Sequence, residues 1–514
     1  MTAERDTVDR AHGRSLAGSA AWLMLGKTLG FAFTVALPLA VVRILSQHDF
    51  ALYKQAFLVV NSAVWMLPLG FGMSAYYFLP RERERRGAVV LNVLLFNLIM
   101  GSVGALTLTL WPGVLGLVFK APEIVDYAPF IGLVILTGVI ASFIEIVVLA
   151  NQETQLATIV IVVAQFSKAS LLLLATIVFG SVRALVIAAI VQGTLQTLVL
   201  LLYLRARFGH FWRRPSWAML REQLTYALPL SLSGLLLVAY TDLHNYFVAS
   251  RFDPATYAIY AIGCFELPLI GLLNESVGAV LIPRASVLQR DGQSHEIVQL
   301  ILRVMRKLAA VYFPVYGFML VLGEAFLGAV FTEQYTASWP VLAINMAILP
   351  FSVITLDPIV RAFSPLSRFL LRLRTVVVMF QMVALWFVTA RFGLVATITV
   401  VAGSKILEQV ILTWRATRTL GIARSDLVLL KDVAAIAGVT IGAMAAGAVV
   451  RAALTGASPW TVLIIGGIAF ALAYGLGLWS AGVLTADERQ ELSRRARLLR
   501  RQILLKRVVE PQAF

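Results

Sequence analysis

The sequence predicts an all-α, polytopic membrane protein of about fourteen transmembrane helices. The expected arrangement is two parallel six-helix lobes plus two C-terminal helices, with the N and C termini cytoplasmic. Three observations carry this expectation: the composition, the length of the apolar runs, and the alternation of positive charge along the chain. Of 514 residues, 60% are hydrophobic and 14% charged, whereas a soluble globular chain is nearer half apolar and a quarter charged. The apolar residues form fourteen blocks, centred near residues 30, 65, 100, 139, 168, 194, 236, 268, 312, 347, 378, 403, 443 and 471. Each is about as long as a helix needs to be to cross ~30 Å of hydrocarbon. Little chain remains for a soluble domain.

The net charge of +16 could suggest nucleic acid, but that would require a soluble basic face with aromatics interleaved. The charge is distributed differently. With fourteen spans and the N-terminus inside, most Lys and Arg residues fall on one side. They lie in the N-terminal tail, in Arg81–Arg86, in 205–221, 284–307, 361–374 and 415–431, and from Arg489 onward. The other side holds Arg43, Lys54, Lys120, Arg183, Arg251, Arg391 and Arg451. Basic loops are retained in the cytoplasm, so the alternation places both termini there and leaves no role for nucleic acid. "FLPRERERRG" (78–87) is then a cytoplasmic loop beside anionic headgroups. The first block, about Leu16 to Ile44, is too long for a cleavable signal. The single Cys264 can form no intrachain disulfide.

These readings divide the chain into a tail (1–15), a first lobe (16–204), a basic linker (205–221) and a second lobe (222–414). A cytoplasmic loop (415–432), two further helices (433–484) and a basic tail (485–514) follow. The tail mixes Leu492, Leu498, Leu499 and Ile503 with basic residues, as a helix lying in the cytoplasmic interface does.

The chain also repeats itself. Aligning Pro80-Arg81 with Pro283-Arg284 brings "ILSQHDFALYKQAFLVV" (44–60) into step with "FVASRFDPATYAIYAIG" (247–263). Each has a short charged loop with an Asp, a helix start bearing Tyr, and an expected helix end at Pro-Arg. About six helices separate the copies, so both point the same way. Transporters built on such repeats bind substrate near the midplane and alternate access by rocking their halves.

On these stretches the chain resembles the multidrug/oligosaccharidyl-lipid/polysaccharide exporter superfamily, and within it the polysaccharide (O-antigen type) lipid-linked oligosaccharide flippases. "LTYALPLSLSGLLLVAYTDLHNYFVASRFDPATYAIY" (224–260) is similar to that family's seventh helix, with Asp242 at the position of its Asp. "LVLGEAFLGAVFTEQYTASWPVLAI" (320–344) resembles its ninth-to-tenth-helix connection. Ala51-Leu52-Tyr53 departs from the family's pattern, which has Gly before the Tyr region. The resemblance implies a non-enzymatic flippase of the bacterial inner membrane. Its cargo would be a polyprenyl-diphosphate-linked glycan, specifically an undecaprenyl-diphosphate oligosaccharide moved to the outer leaflet for surface polysaccharide synthesis. Its partners would be membrane lipids and the polysaccharide polymerase or glycosyltransferases. A lipid II type flippase, an ion-coupled exporter of small molecules and a membrane enzyme acting on lipid-linked sugars stay open as alternatives.

A charge inside the membrane costs about a few kcal/mol or more, so each one marks a partner or a function. Lys27, Lys168 and Lys405 fall inside apolar blocks. Lys27 and Lys168 are candidate substrate ligands, since an ammonium suits a diphosphate or an acidic sugar. Lys405 has Glu408 three residues on, which is the spacing of an ion pair on one helix face. Lys54 and Arg251, in short outer loops at equivalent places of the repeat, are candidates for the rim of the cleft. Among the acids, Asp242, Glu266 and Glu145 are candidates for ion coupling or charge balance, with Glu275 and Asp357 also in apolar surroundings. Asp242, Asn245 and Tyr246 share a helix face, and His244 points away from it. "GKT" (26–28) lacks the Gly that a phosphate-binding loop needs five residues earlier, where Ala21 stands. ATP is therefore not the expected energy source, and no cofactor or metal is expected.

Overall fold

The computed structural model describes residues 36–82, 84–213, 215–354, 360, 364–421 and 430–483. Every regular element among them is a helix. Lys27, Asp357 and the basic C-terminal tail lie outside the described residues. After α1 (36–44) come α2 (Gln47–Met66), α3 (Ser74–Phe78), α4 (Arg86–Leu110), α5 (Gly113–Val118), α6 (Ala128–Ala141) and α7 (Phe143–Ala150). Next are α8 (Thr154–Phe179), α9 (Val182–Phe208), α10 (Trp217–Arg251), α11 (Pro254–Gly263), α12 (Pro268–Arg290) and α13 (Ser294–Val330). Helices Trp339–Met346, Ser364–Leu420, Lys431–Ala453 and Pro459–Ser480 complete the chain, and Ser364–Leu420 breaks at Gly393, whose φ is 77°.

Helix starts follow the local chemistry of the sequence. Ser46, Ser181, Ser216 and Asp253 each accept a bond from the backbone N–H three residues on, opening α2, α9, α10 and α11. Such caps satisfy a donor that the first helical turn otherwise leaves open. α2 stops where Pro68 is followed by Leu69 and Gly70, with φ of 46° and 60°. The axis turns by 42° there before a short 3-10 turn and α3.

The larger compact unit holds the described residues up to Val280, Val330–Asn345, and those from 364 to Leu412. In it α4 and α6 approach at small residues. A Cβ on Gly132 would lie 2.9 Å from the carbonyl oxygen of Ala105, and one on Gly101 3.2 Å from the Cα of Leu136. Close backbone contact at small residues is how helices associate where water supplies no hydrophobic drive. Asn92 Nδ2 donates to Gln223 Oε1 at 2.9 Å, and Gln223 Nε2 donates to Ser74 Oγ at 3.1 Å. This buried chain of bonds ties α4, α10 and α3 together, and opening one would cost about 1–3 kcal/mol.

The smaller unit holds Leu281–Ala329, the described residues between Met346 and Ala362, and those from Thr413 on. Helices Lys431–Ala453 and Pro459–Ser480 pack as a pair and clasp α13. Arg451 donates to the Val321 carbonyl at 2.8 Å and pairs with Glu324 at 2.5 Å, while the Tyr474 hydroxyl donates to the Ala310 carbonyl.

Eight of the described helices are long and apolar enough to cross a membrane, or nine if the bent pair α2 and α3 forms one span. Their outer faces are apolar too: Ile99, Leu110, Phe166, Ile177 and Trp386 are each more than half exposed. Faces this apolar are solvated by lipid. The chain is a multi-pass membrane protein. α12 is not among these spans, because it carries Glu275, Arg284 and Arg290.

The structure corrects one expectation about the repeat. The first copy leaves α3 at Phe78, with Pro80 in the following turn, but α12 runs straight through Pro283-Arg284 to Arg290. A proline inside a helix removes one backbone bond, and here the turns on either side keep the helix continuous.

The charged stretch at 81–86 is partly neutralised where it lies. Arg85 pairs with Glu82 at 2.9 Å, and the Arg81 guanidinium sits 3.6 Å from the Tyr77 ring centroid. Arg86, the first residue of α4, hydrogen-bonds Asn151 Oδ1.

Candidate functional site

Two cavities lie within the larger unit. The first, of about 690 Å³, is lined by α1, α2, α8, α10 and α11, by the break after α11, and by Phe331. α2 presents Lys54, Leu58, Asn61 and Trp65 to it. Their spacing of i, i+4, i+7 and i+11 is a single stripe of the helix. α8 contributes Gln165 and Lys168, one turn apart, and α10 contributes Asp242 and Asn245 in the same way. Glu266 comes from the short non-helical stretch between α11 and α12.

The two broken helices of the repeat therefore both border this cavity. The break at Pro68 follows the α2 stripe, and the break before Pro268 delivers Glu266. Interrupted helices at matching places in two halves are the feature from which transporters build midplane sites. The cavity thus faces two ammonium groups and two carboxylates, in surroundings where water-like screening is weak.

Lys54 corrects an expectation, because it is not in a loop. Ser46 caps α2 at Gln47, which puts Lys54 two turns inside the helix, half-buried, with its ammonium 5.6 Å from the Phe50 ring centroid. Lys168 lies midway along α8. Neither Lys54 nor Lys168 has a hydrogen-bonded or ion-paired partner among the described residues. The electrostatic neighbours of Asp242 are Glu266 and Lys405.

Arg251 is absent from the lining. It ends α10 with its guanidinium 4.7 Å from the Trp386 ring centroid, and its carbonyl accepts from Lys120 Nζ at 3.4 Å. Tertiary contact with an aromatic ring, invisible in the sequence, turns it aside. Glu145, on α7, lines the second cavity, of about 270 Å³, which shares Lys168 with the first. Glu275 is exposed on α12.

The expected pairing of Lys405 with Glu408 gives way to a longer-range one. Arg374 holds Glu408 Oε1 through Nη2 at 3.0 Å and Nε at 3.3 Å. Lys405 instead lies 5.6 Å from the Tyr240 ring centroid, with Arg374 5.0 Å from the same ring. The planar fork of Arg binds a carboxylate better than a Lys on the same helix can. His244 is buried against the Tyr260 hydroxyl at 2.8 Å, away from the cavity as its helix position implied. The Tyr246 hydroxyl reaches back to the Leu58 carbonyl at 3.4 Å and joins α10 to α2.

The sequence reading placed Asn245 on the face of Asp242 but missed the rest of the neutral lining: Asn61 and Gln165, with Tyr53, Tyr257 and Trp65. An available signal was the spacing of Lys54, Asn61 and Trp65 on one face of an otherwise apolar helix.

A family model described as "Polysaccharide biosynthesis protein" matches residues 39–340. No curated protein matches the sequence. Among solved structures, a lipid II flippase MurJ in an inward closed conformation is 12% identical with a TM-score of 0.69, covering 89% of this chain and 97% of that one. An inward-facing multidrug resistance MATE family transporter is 15% identical with a TM-score of 0.57, covering 80% and 96% respectively. An outward-facing one is 14% identical with a TM-score of 0.53, covering 78% and 95%. At these identities what is shared is the fold. With the family model spanning more than half of its length, the chain belongs to the polysaccharide biosynthesis protein family.

Proposed function

We propose that the protein carries an undecaprenyl-diphosphate-linked oligosaccharide from the cytoplasmic to the outer leaflet of the bacterial inner membrane by alternating access. The observation that carries this reading is the pair Lys54 and Lys168, facing one cavity from two apolar helices. A cation in such a place costs about a few kcal/mol or more unless something compensates it. A diphosphate supplies that compensation, and lysine serves as a point-charge ligand for phosphate. Asp242 and Glu266 in the same lining balance the cations when the cavity is empty, and they keep a bound anion from being held too tightly to leave. These acids, with Glu145, are also the groups through which a proton or Na⁺ gradient would couple. Membership of a polysaccharide biosynthesis family, and a fold shared with a lipid II flippase, support a lipid-linked glycan as the cargo. Surface polysaccharide assembly is the process it would serve.

The same two carboxylates favour a second reading, an ion-coupled exporter of small cations, the fold being shared with multidrug transporters as well. Deleting the gene in its host and measuring undecaprenyl-linked intermediates by mass spectrometry separates the two. Accumulation of one lipid-linked oligosaccharide, with loss of the matching surface glycan, is expected. An unchanged lipid pool with increased retention of cationic drugs would select the exporter.

A further inference from the structure

We infer that the second cavity is a sugar subsite, and that the sugar it takes, next to the diphosphate, is uncharged. The inference rests on the flippase reading and specifies its cargo. The two cavities share Phe57, Asn61, Trp65, Gln165 and Lys168. Lys168 therefore borders both, whereas Lys54, Asp242 and Glu266 belong to the first alone. A diphosphate held between Lys54 and Lys168 presents its glycosidic end to this shared wall.

Beyond the wall the chemistry changes. The second cavity adds Gln192 and Gln196 from α9 and Ser142 and Glu145 from the α6–α7 junction. Amides and hydroxyls both donate and accept, which is what sugar hydroxyl and N-acyl groups require. Gln192 is buried, and its Nε2 is committed to the Ala164 carbonyl at 3.1 Å. Its Oε1 has no partner among the described residues, leaving a buried acceptor of the kind that a ligand hydroxyl satisfies. Trp65, 76% exposed, offers a flat aromatic face at the shared wall, with an apolar body for the C–H face of a pyranose ring. The volume of about 270 Å³ lies below the range of drug-sized pockets and suits a single ring. An acidic sugar fits poorly, because Glu145 would repel it and Lys168, the one cation in the lining, is engaged by the phosphate.

The test uses the full-length protein in detergent, titrated by native mass spectrometry. The probes are undecaprenyl diphosphate without sugar, with one N-acetylhexosamine, and with one hexuronate. The neutral sugar is expected to tighten binding by about fivefold or more, one or two net hydrogen bonds' worth, and the uronate to give no gain. Gln196→Leu should erase most of the gain while the sugar-free lipid binds as before. Glu145→Gln should let the uronate bind as well as the neutral sugar, which keeps the test decisive if the first variant does not fold. A sugar gain untouched by both variants, or a preference for the uronate in the parent protein, overturns the subsite alone. Failure of the sugar-free diphosphate to bind overturns the flippase reading as well.

Discussion

Replacing Lys54 by Met removes one ammonium and keeps nearly the whole length of the side chain. Lys54 is half-buried, faces the larger cavity, and makes no ion pair among the described residues. Its loss should therefore leave folding intact, or improve it slightly, because a partly desolvated cation is unfavourable on its own. Binding should respond in the opposite way. A hydrogen bond to a charged group contributes about 1.5–3 kcal/mol, so affinity for undecaprenyl diphosphate should fall by about ten- to a hundredfold. Asp242→Asn supplies the complementary sign, since removing a carboxylate from the same cavity should tighten an anionic ligand or leave it unchanged. The assay is titration of both variants in nanodiscs, with thermal unfolding run in parallel. The reasoning fails if Lys54→Met binds the diphosphate as tightly as the parent protein while Asp242→Asn loses binding of a cationic drug titrated in the same way. That pattern belongs to a cationic cargo.

Two further substitutions test the packing around the site. Breaking the Arg374–Glu408 pair with Arg374→Leu strands a carboxylate whose side chain is only 6% exposed and should cost about 3–5 kcal/mol. The double replacement Arg374→Leu/Glu408→Leu should recover most of that loss in thermal unfolding, and a double variant no better than the single would contradict the pairing. Gly263→Val should destabilise by about 1–3 kcal/mol through overpacking, since even a Cβ there would come within 2.5 Å of Val341. An unchanged unfolding midpoint would show that α11 does not pack against helix Trp339–Met346 as described.

Much of the architecture was legible in the sequence because a membrane imposes simple rules. Apolar runs of spanning length must be helices, and charges inside them must serve some purpose. That logic picked out Lys168, Asp242 and Glu266, which the fold brings to one cavity. It misplaced Lys54, because a basic residue near a span end reads as a loop until the Ser46 cap sets where α2 begins. It also missed interactions between distant residues. Glu408 is claimed by Arg374 from 34 positions away, and Arg251 is drawn onto Trp386. Neutral groups such as Asn61 and Gln165 carry no signal of cost in the sequence, so only the assembled cavity reveals them. Lys27 lies outside the described residues, and Lys27→Ala remains a transport test of its own.

The most direct measurement places purified protein in proteoliposomes loaded with an undecaprenyl-diphosphate oligosaccharide and follows its exposure to a glycosidase added outside. The parent protein should make internal substrate available over time, and Lys54→Met/Lys168→Met should abolish this while still reconstituting. Exposure undiminished in the double variant would contradict a lysine-lined path for the diphosphate, and no exposure with the parent protein would contradict the flippase itself.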